Sequence, residues 1–365
     1  MSGQLGQKGL TSERLHQVLD LCLSCKACKS ECPSNVDMSK MKGDTLQMYY
    51  DEHGITLRDR LTRDSSRAAS YFSGNLSGLI NFVQKTKLFR FSLQKIAGFD
   101  KRRVLPGYAK ETFYHWFEKE HNNTYRNSKK VVLFADTYLN FHEPQIGISA
   151  VQLLNSCGYE VIVANVGCCQ RPKISHGFLR LAKKEGAKTI EGLKKYMDQG
   201  LMILVCEPSC ASALTDDLAD LIEDDAVSAQ LQKQVMLIDD FFAKEIESGN
   251  LKTAFETGSE HILFHGHCHQ KALYSTKGLK MILSLTGQNF AEIPSGCCGM
   301  AGAFGYEKEH YDLSKKIGEE ILFPAIRSIT NGAAVIANGF SCRHQIEHFT
   351  GVKAKHWVEV IKVKQ

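Results

Sequence analysis

From residue 131 onward, short β-branched runs alternate with longer stretches of helical periodicity. The runs are Val131–Phe134, Val161–Ala164, Leu201–Val205, Val235–Ile238, Ile262–Phe264 and Ala333–Ala337, with ten or more helix-patterned residues between them. This order predicts an α/β fold of βαβ units with mostly parallel sheets. The stretch also repeats at an offset of about 130 residues. Val132-Leu133-Phe134 matches Ile262-Leu263-Phe264, Gly167-Cys168-Cys169 matches Gly296-Cys297-Cys298, and Cys206-Glu-Pro-Ser-Cys210 matches Asn338-Gly-Phe-Ser-Cys342. Upstream, Thr11 is an N-cap for a helix carrying Leu15, Val18, Leu19 and Cys22 on one face. A second helix starts at Asp37, carries Met38, Met41, Thr45, Met48 and Tyr49, and stops at Gly54. The pattern divides the chain into a small helical part (1–56), a helical linker (57–130) and two cysteine-rich repeats (131–258 and 259–365).

Charge singles out the linker. The whole chain carries 45 Lys+Arg against 40 Asp+Glu, a net +5 that gives no footprint for nucleic acid. Within 57–130 the balance is 16 to 6, and aromatic residues are interleaved. The segment reads as solvated basic helices over an aromatic core, or as a docking surface for an acidic partner or anionic headgroups centred on Lys101-Arg102-Arg103. No apolar run approaches the roughly 18 residues of a membrane span, and the opening Met-Ser-Gly-Gln-Leu-Gly-Gln lacks the order of a signal peptide. A cytoplasmic location follows, with peripheral contact at the inner membrane allowed.

Thirteen cysteines are many for a protein kept in a reducing compartment. Their clustering points to metal. Cys22-x2-Cys25-x2-Cys28-x3-Cys32-Pro33 is the bacterial ferredoxin run, whose first three thiolates wrap one [4Fe–4S] cluster. Half of a zinc site shares the Cys-x2-Cys spacing, but zinc sites join two such halves across a longer loop. In each repeat, cysteines follow strands at their C-terminal ends, where open α/β sheets place ligands. In the second repeat these are Cys268, Cys297, Cys298 and Cys342; in the first, with less support, Cys168, Cys169, Cys206 and Cys210. Soft thiolates converging there suit a second iron–sulfur cluster or another soft metal. His265, His267 and His269 flank Cys268 and read as proton carriers or as supports for the ligands.

These residues together resemble the C-terminal iron–sulfur half of the FAD-linked D-2-hydroxyacid dehydrogenases, the enzymes that oxidise D-lactate and D-2-hydroxyglutarate. The likeness is densest in Leu21-Cys-Leu-Ser-Cys-Lys-Ala-Cys-Lys-Ser-Glu-Cys-Pro-Ser-Asn-Val-Asp37, His265-Gly-His-Cys-His-Gln-Lys271, Gly296-Cys-Cys-Gly-Met-Ala-Gly-Ala-Phe-Gly-Tyr306 and Asn338-Gly-Phe-Ser-Cys342. The last three look like the cysteine-rich CCG domain found also in iron–sulfur subunits of glycolate oxidase, anaerobic glycerol-3-phosphate dehydrogenase and heterodisulfide reductase. By that resemblance Cys268, Cys297, Cys298 and Cys342 are cluster or metal ligands. The first repeat departs from it: Gln170 replaces the glycine after the cysteine pair, and Asp136-Thr-Tyr stands where a cysteine is offered. In the second repeat Asn338 replaces a cysteine.

The resemblance implies an electron-transfer protein. It would pass electrons from a flavin-dependent D-2-hydroxyacid dehydrogenase to a one-electron chain ending on a quinone or cytochrome. No flavin or nicotinamide fingerprint is present, so FAD is expected on a domain or partner chain outside this sequence, and the chain is expected to be a split or truncated form inactive alone. The alternatives are a CCG reductase acting on a disulfide or small acceptor at its own cluster, and a zinc-binding interaction module. The ferredoxin run and the CCG cysteines are expected in separate structural units.

Overall fold

The computed structural model describes residues 9–120, 129–259, 261–329 and 332–364. The readings made on the first residues, and the end of the linker at 121–128, lie outside these. Asp37 opens the helix Met38–His53 by accepting the N–H groups of Ser39 and Lys40 at 3.0 and 3.2 Å. The helix closes at Gly54, where φ is 78°. The helix Glu13–Asp20 is capped by Ser12 and not by Thr11. Ser12 has extended backbone, which brings its hydroxyl over the first turn to accept Leu15 N–H at 3.4 Å.

The expected parallel α/β architecture is present. Strands β1 (Lys129–Phe134), β2 (Tyr159–Ala164), β3 (Ile203–Val205) and β4 (Val235–Leu237) form a parallel sheet in the order β2-β1-β3-β4. A short β5 (Phe255–Thr257) follows. Strands β6 (His261–His265), β7 (Asn289–Glu292) and β8 (Ala333–Ala337) form a second parallel sheet in the order β7-β6-β8. Lys355 bridges Ile336 in parallel, at the place β4 holds in the first sheet. The last strand, β9 (Ile361–Val363), pairs antiparallel with β5. The sequence pattern missed β5, β7 and β9. Two are three-residue pieces, and Asn-Phe-Ala-Glu in β7 is neither β-branched nor deeply buried.

The two sheets share one topology, as duplicated units should. They pack around a common core holding Val131, Leu133, Ile262, Phe264 and Trp357. The repeats also interlock: helix Pro144–Ser156 of the first packs on Trp357–Val360 of the second, and Lys277–Ser284 of the second packs on Ile238–Glu247 of the first.

The structural register of the repeat differs from the sequence match by one residue. Phe134 lies beside Val205 when the β1–β3 pairing is continued, while His265 pairs with Ala337. Cys210 and Cys342 each lie five residues beyond those partners. The equivalents of Ile262-Leu263-Phe264 are therefore Val131-Val132-Leu133. A one-residue slip in a strand moves every side chain to the opposite face, and here Val131, Leu133, Ile262 and Phe264 all face the common core. Carried into the following loop, this register makes Asp136 equivalent to His267 and Thr137 equivalent to Cys268. Asp136 and His267 are indeed both N-caps, and Thr137 and Cys268 are both first helical residues.

The linker is helical, in Leu57–Arg63, Ser65–Phe72, Ser77–Lys85, Lys87–Ala97 and Phe113–Glu120. Its basic triplet is not a free surface. Arg103 is buried, donating to the Gly305 carbonyl at 2.8 Å and Gln345 Oε1 at 2.6 Å. Arg102 forks onto Asp100 and reaches Asp312. Two of the three cations thus tie the linker to the second repeat. The linker also exposes large apolar side chains, Tyr71, Leu79, Phe82, Leu88 and Ile96, with Lys85, Lys87 and Lys95 among them. Among the described residues no helix is long and apolar enough to cross a membrane.

Candidate metal centre

The three groups of cysteines open on one cavity of about 660 Å³. Its wall includes Cys22 from the ferredoxin-type run, Cys168, Cys169 and Cys210 from the first repeat, and Cys268, Cys297 and Cys298 from the second. The expectation of separate units is therefore corrected: the run lies against both repeats.

Local structure explains how the run is held there. Lys26 sits between Cys25 and Cys28 in left-handed backbone, φ 66°, and its side chain is fully buried. Its ammonium donates to Asp37 at 2.8 Å, Asp216 at 2.9 Å and Asp217 at 2.6 Å. The last two aspartates come from a π-helical turn, Ala213–Asp217, that follows Cys210. Asp216 also binds Lys29 at 2.5 Å and Lys40 at 2.9 Å, and Asp217 binds Arg171 at 2.5 Å. Burial pushes the Asp216 carboxyl up, but these lysines hold it well below the usual carboxylate range. On the other side, His269 bridges three parts of the chain. Its Nδ1 accepts from the Ser212 hydroxyl at 2.6 Å, and its Nε2 donates to the Ser24 carbonyl at 2.9 Å. Burial, then Arg171, keeps this ring neutral. Lys42 donates to the Cys22 carbonyl at 2.8 Å.

Within the run, Cys25 faces Cys22 and Cys28, and also Cys268 of the second repeat; burial leads these influences in pushing its thiol up. Cys28 Sγ accepts Met38 N–H at 3.4 Å. Cys32 stands apart. The backbone N–H of Val36, then those of Ser34 and Asn35, pull its thiol below the ordinary range.

The two repeats build matching thiol chains. In the second, Cys268 adjoins Cys297, Cys297 adjoins Cys298, and Cys298 adjoins Cys342. In the first, Thr137 adjoins Cys168, Cys168 adjoins Cys169, and Cys169 lies 2.9 Å from Cys210. Each vicinal pair is turned the same way: Gly299 N–H donates to Cys297 Sγ and Gln170 N–H to Cys168 Sγ, both at 3.4 Å, both with positive φ. At Gly299 a Cβ would meet the Ser314 carbonyl at 2.4 Å, so only glycine fits. The first repeat tolerates Gln170 at a strain of about 1 kcal/mol. Its amide donates to the Cys168 carbonyl at 2.9 Å and accepts Lys173 Nζ at 2.8 Å.

Cys206 does not join. It packs in the common core beneath the sheet, its carbonyl accepting His356 Nε2 at 3.2 Å. Asn338, its equivalent, is likewise buried. His265, His267 and His269 have distinct places. His265 Nδ1 meets Ser295 Oγ at 2.8 Å, and the ring lies with Cys298 and Cys342 such that their ligand atoms fall within 4.8 Å of one another. His267 caps its own helix by accepting His269 N–H at 3.1 Å and lies 3.9 Å from Glu207. Burial pulls both His265 and His267 to about 3, so both are neutral.

The donor set fits a soft cationic group. Crowding by Cys169 and then burial push Cys168 well above the thiol range, and Cys297 and then burial do the same to Cys268. Adjacent buried thiols ionise together only when positive charge compensates them. Of the buried nitrogens that lack hydrogen-bond partners among the described residues, two lie at these sites: His265 Nε2 at the second and Arg171 Nη1, whose guanidinium faces Cys169 and Cys210, at the first. Orphaned donors beside thiolates are what sulfur acceptors of a cluster would satisfy. Sequence reasoning missed Lys26, Arg171, Asp217 and Glu207. Only the charge of Lys26 inside a cysteine run could have signalled one of them.

A second acidic cluster, Asp20, Glu307 and His310, also lies within 4.8 Å. Here both ring nitrogens are already taken, by Glu307 at 2.7 Å and Asp20 at 3.3 Å. Burial pulls the His310 ring down, but the two carboxylates raise it to about 9. It is an imidazolium clip between the helix Glu13–Asp20 and the second repeat.

Residues 262–347 match the CCG cysteine-rich domain. The chain is 25% identical over 337 residues to a subunit of anaerobic glycerol-3-phosphate dehydrogenase from Escherichia coli, covering 90% of this chain and 82% of that protein. It is 20% identical to the glycolate oxidase iron-sulfur subunit of Escherichia coli, covering 94% and 81%. Against D-2-hydroxyglutarate dehydrogenase of Escherichia coli it is 22% identical over 96% of its length but spans only 34% of that enzyme. The chain carries a CCG domain and is homologous to these proteins.

Proposed function

We propose that this chain is the iron–sulfur electron-transfer component of a flavin-linked dehydrogenase. The observation that carries the reading is that the ferredoxin-type run and both thiol chains open on one cavity. Cys22, Cys25 and Cys28 would hold a [4Fe–4S] cluster. Cys268, Cys297, Cys298 and Cys342 would hold a second, with His265 beside it. Iron–sulfur clusters take electrons singly, so such a pair lets a two-electron flavin feed a one-electron chain. The flavin belongs to a partner, and D-2-hydroxyglutarate, glycolate and glycerol-3-phosphate oxidation are the activities the relatives' names place beside such chains.

Lys26, with Asp37, Asp216 and Asp217, fixes the first ligand loop against the repeats. His269 fixes Ser24 from the other side. Together they hold the run's cysteines near Cys268.

The acceptor we favour is a lipophilic quinone. An apolar arm of the cavity is lined by Phe72, Ile80, Val83, Phe89, Leu93 and Leu105. The same linker helices expose Tyr71, Leu79, Phe82, Leu88 and Ile96 among lysines, a pattern suited to the interface of an anionic membrane. The compact His265, Cys298 and Cys342 group would also suit one zinc ion. Anaerobic purification with iron, zinc and acid-labile sulfide analysis decides. Brown protein whose absorption bleaches on reduction is expected; colourless protein with stoichiometric zinc and no sulfide overturns the reading.

A further inference from the structure

The first repeat's site is the second's with one ligand exchanged. Thr137 and Cys268 are each the first residue of the helix following the central strand, behind the N-caps Asp136 and His267. Each adjoins the leading thiol of a vicinal pair, Cys168 or Cys297. Both line the cavity. A threonine hydroxyl is a neutral, hard oxygen and a poor substitute for a thiolate toward a soft metal. No other thiol of this repeat is at hand: Cys206 is packed in the core on the far face of the sheet, and Cys157 closes the helix Pro144–Ser156 against the same core. The first site therefore offers three thiols, from Cys168, Cys169 and Cys210.

Two features of the surroundings say what would complete it. Arg171 is buried and lines the cavity, with Nε on the Ser209 carbonyl at 3.1 Å and Nη2 on Ser212 at 2.9 Å and on Asp217. Its Nη1 has no partner among the described residues. Beside Thr137, the Tyr138 ring stacks on Phe340 of the other repeat at 4.3 Å and forms an apolar wall. The space thus has a soft metal position, an unspent N–H on a cation, and a flat apolar side.

We propose that the first site binds its metal or cluster through Cys168, Cys169 and Cys210 and leaves the position beside Thr137 open to the cavity for a small external thiolate. This rests on the iron–sulfur reading above and adds a ligand to it. Binding forms one metal–sulfur bond and releases the thiol proton to solvent; no electrons move. The second site, closed by Cys268, has no such open position and serves as the internal comparison.

The test uses the full chain, reconstituted anaerobically with ⁵⁷Fe and sulfide, freed of thiols by gel filtration, and titrated with 2-mercaptoethanol under Mössbauer and EPR observation. The wild type should show a saturable change in one spectral component. Thr137→Cys, at equal iron content, should weaken that response at least tenfold, about 1.4 kcal/mol of binding. Thr137→Val should keep it, and Cys268→Thr should gain a second responding component. The proposal is overturned by a fully loaded wild type that ignores the thiol, or by Thr137→Cys responding as the wild type does. If Thr137→Cys does not fold, Cys268→Thr decides: absence of a new response counts against the exchange argument. Protein that takes up neither iron nor sulfide fails the earlier reading first, and this one with it.

Discussion

Replacing Lys26 by methionine removes the side chain that touches Asp37, Asp216 and Asp217 together, at 2.8, 2.9 and 2.6 Å. Methionine keeps the length and apolar stem, so the change is electrostatic rather than a cavity. Breaking a buried ion pair by removing one partner costs about 3–5 kcal/mol, because the remaining charge stays out of water. The aspartates are not all stranded, however. Asp216 keeps Lys29 and Lys40, Asp217 keeps Arg171, and Asp37 keeps the N–H groups of Ser39 and Lys40. The loss should therefore sit at the low end, about 3 kcal/mol. Urea unfolding followed by circular dichroism measures it, and Asp216→Asn should cost about 1 kcal/mol less in the Lys26→Met background than in the wild type if the charges act on one another. The same variant should lose the run's iron before that of the repeats, since Lys26 lies within the ligand loop. A Lys26→Met protein within about 0.5 kcal/mol of wild type, with full iron, would refute the buried-network argument.

Other consequences are equally direct. Gly299→Ala should destabilise the second site by more than about 2 kcal/mol, since its Cβ would strike the Ser314 carbonyl at positive φ; Gln170→Gly at the equivalent turn should cost less, because relief of about 1 kcal/mol of strain offsets part of the lost bonds to Cys168 and Lys173, as thermal melts with iron analysis will report. The His310 clip should give pH-dependent stability. The folded pKa of about 9 lies above the ordinary 6.5, so the contribution is complete below pH 6.5 and is lost as pH rises through 9. His310→Gln should flatten that slope in urea titrations between pH 6.5 and 9. Phe82→Asp with Leu88→Asp should reduce sedimentation with phosphatidylglycerol vesicles several-fold, leaving Cys-site spectra unchanged; equal recovery would remove the membrane assignment. Charge reversal at Arg103 should instead unfold the linker from the second repeat, because that guanidinium is buried on Gly305 and Gln345.

Much of this protein was written locally. Ferredoxin spacing and vicinal cysteine pairs are short-range patterns, and the helix from Asp37 to Gly54 has its cap and its stop in the residues themselves. The alternation of β-branched runs with helical stretches fixed a parallel α/β fold, because side-chain period and connection length suffice for that. What tertiary structure decided was whatever depends on partners far along the chain. Identical letters aligned Leu133 with Leu263, yet burial against a shared core pairs Leu133 with Phe264, and that single step turns Thr137 into the counterpart of Cys268. Cys206 reads as a ligand by spacing but faces the core, since a strand alternates its side chains between two faces. Lys26 reads as a solvated charge in a loop until aspartates about 190 residues away close over it. Sequence names the donors; which of them share a cavity, and which charges lose their water, is set by the packing of distant segments.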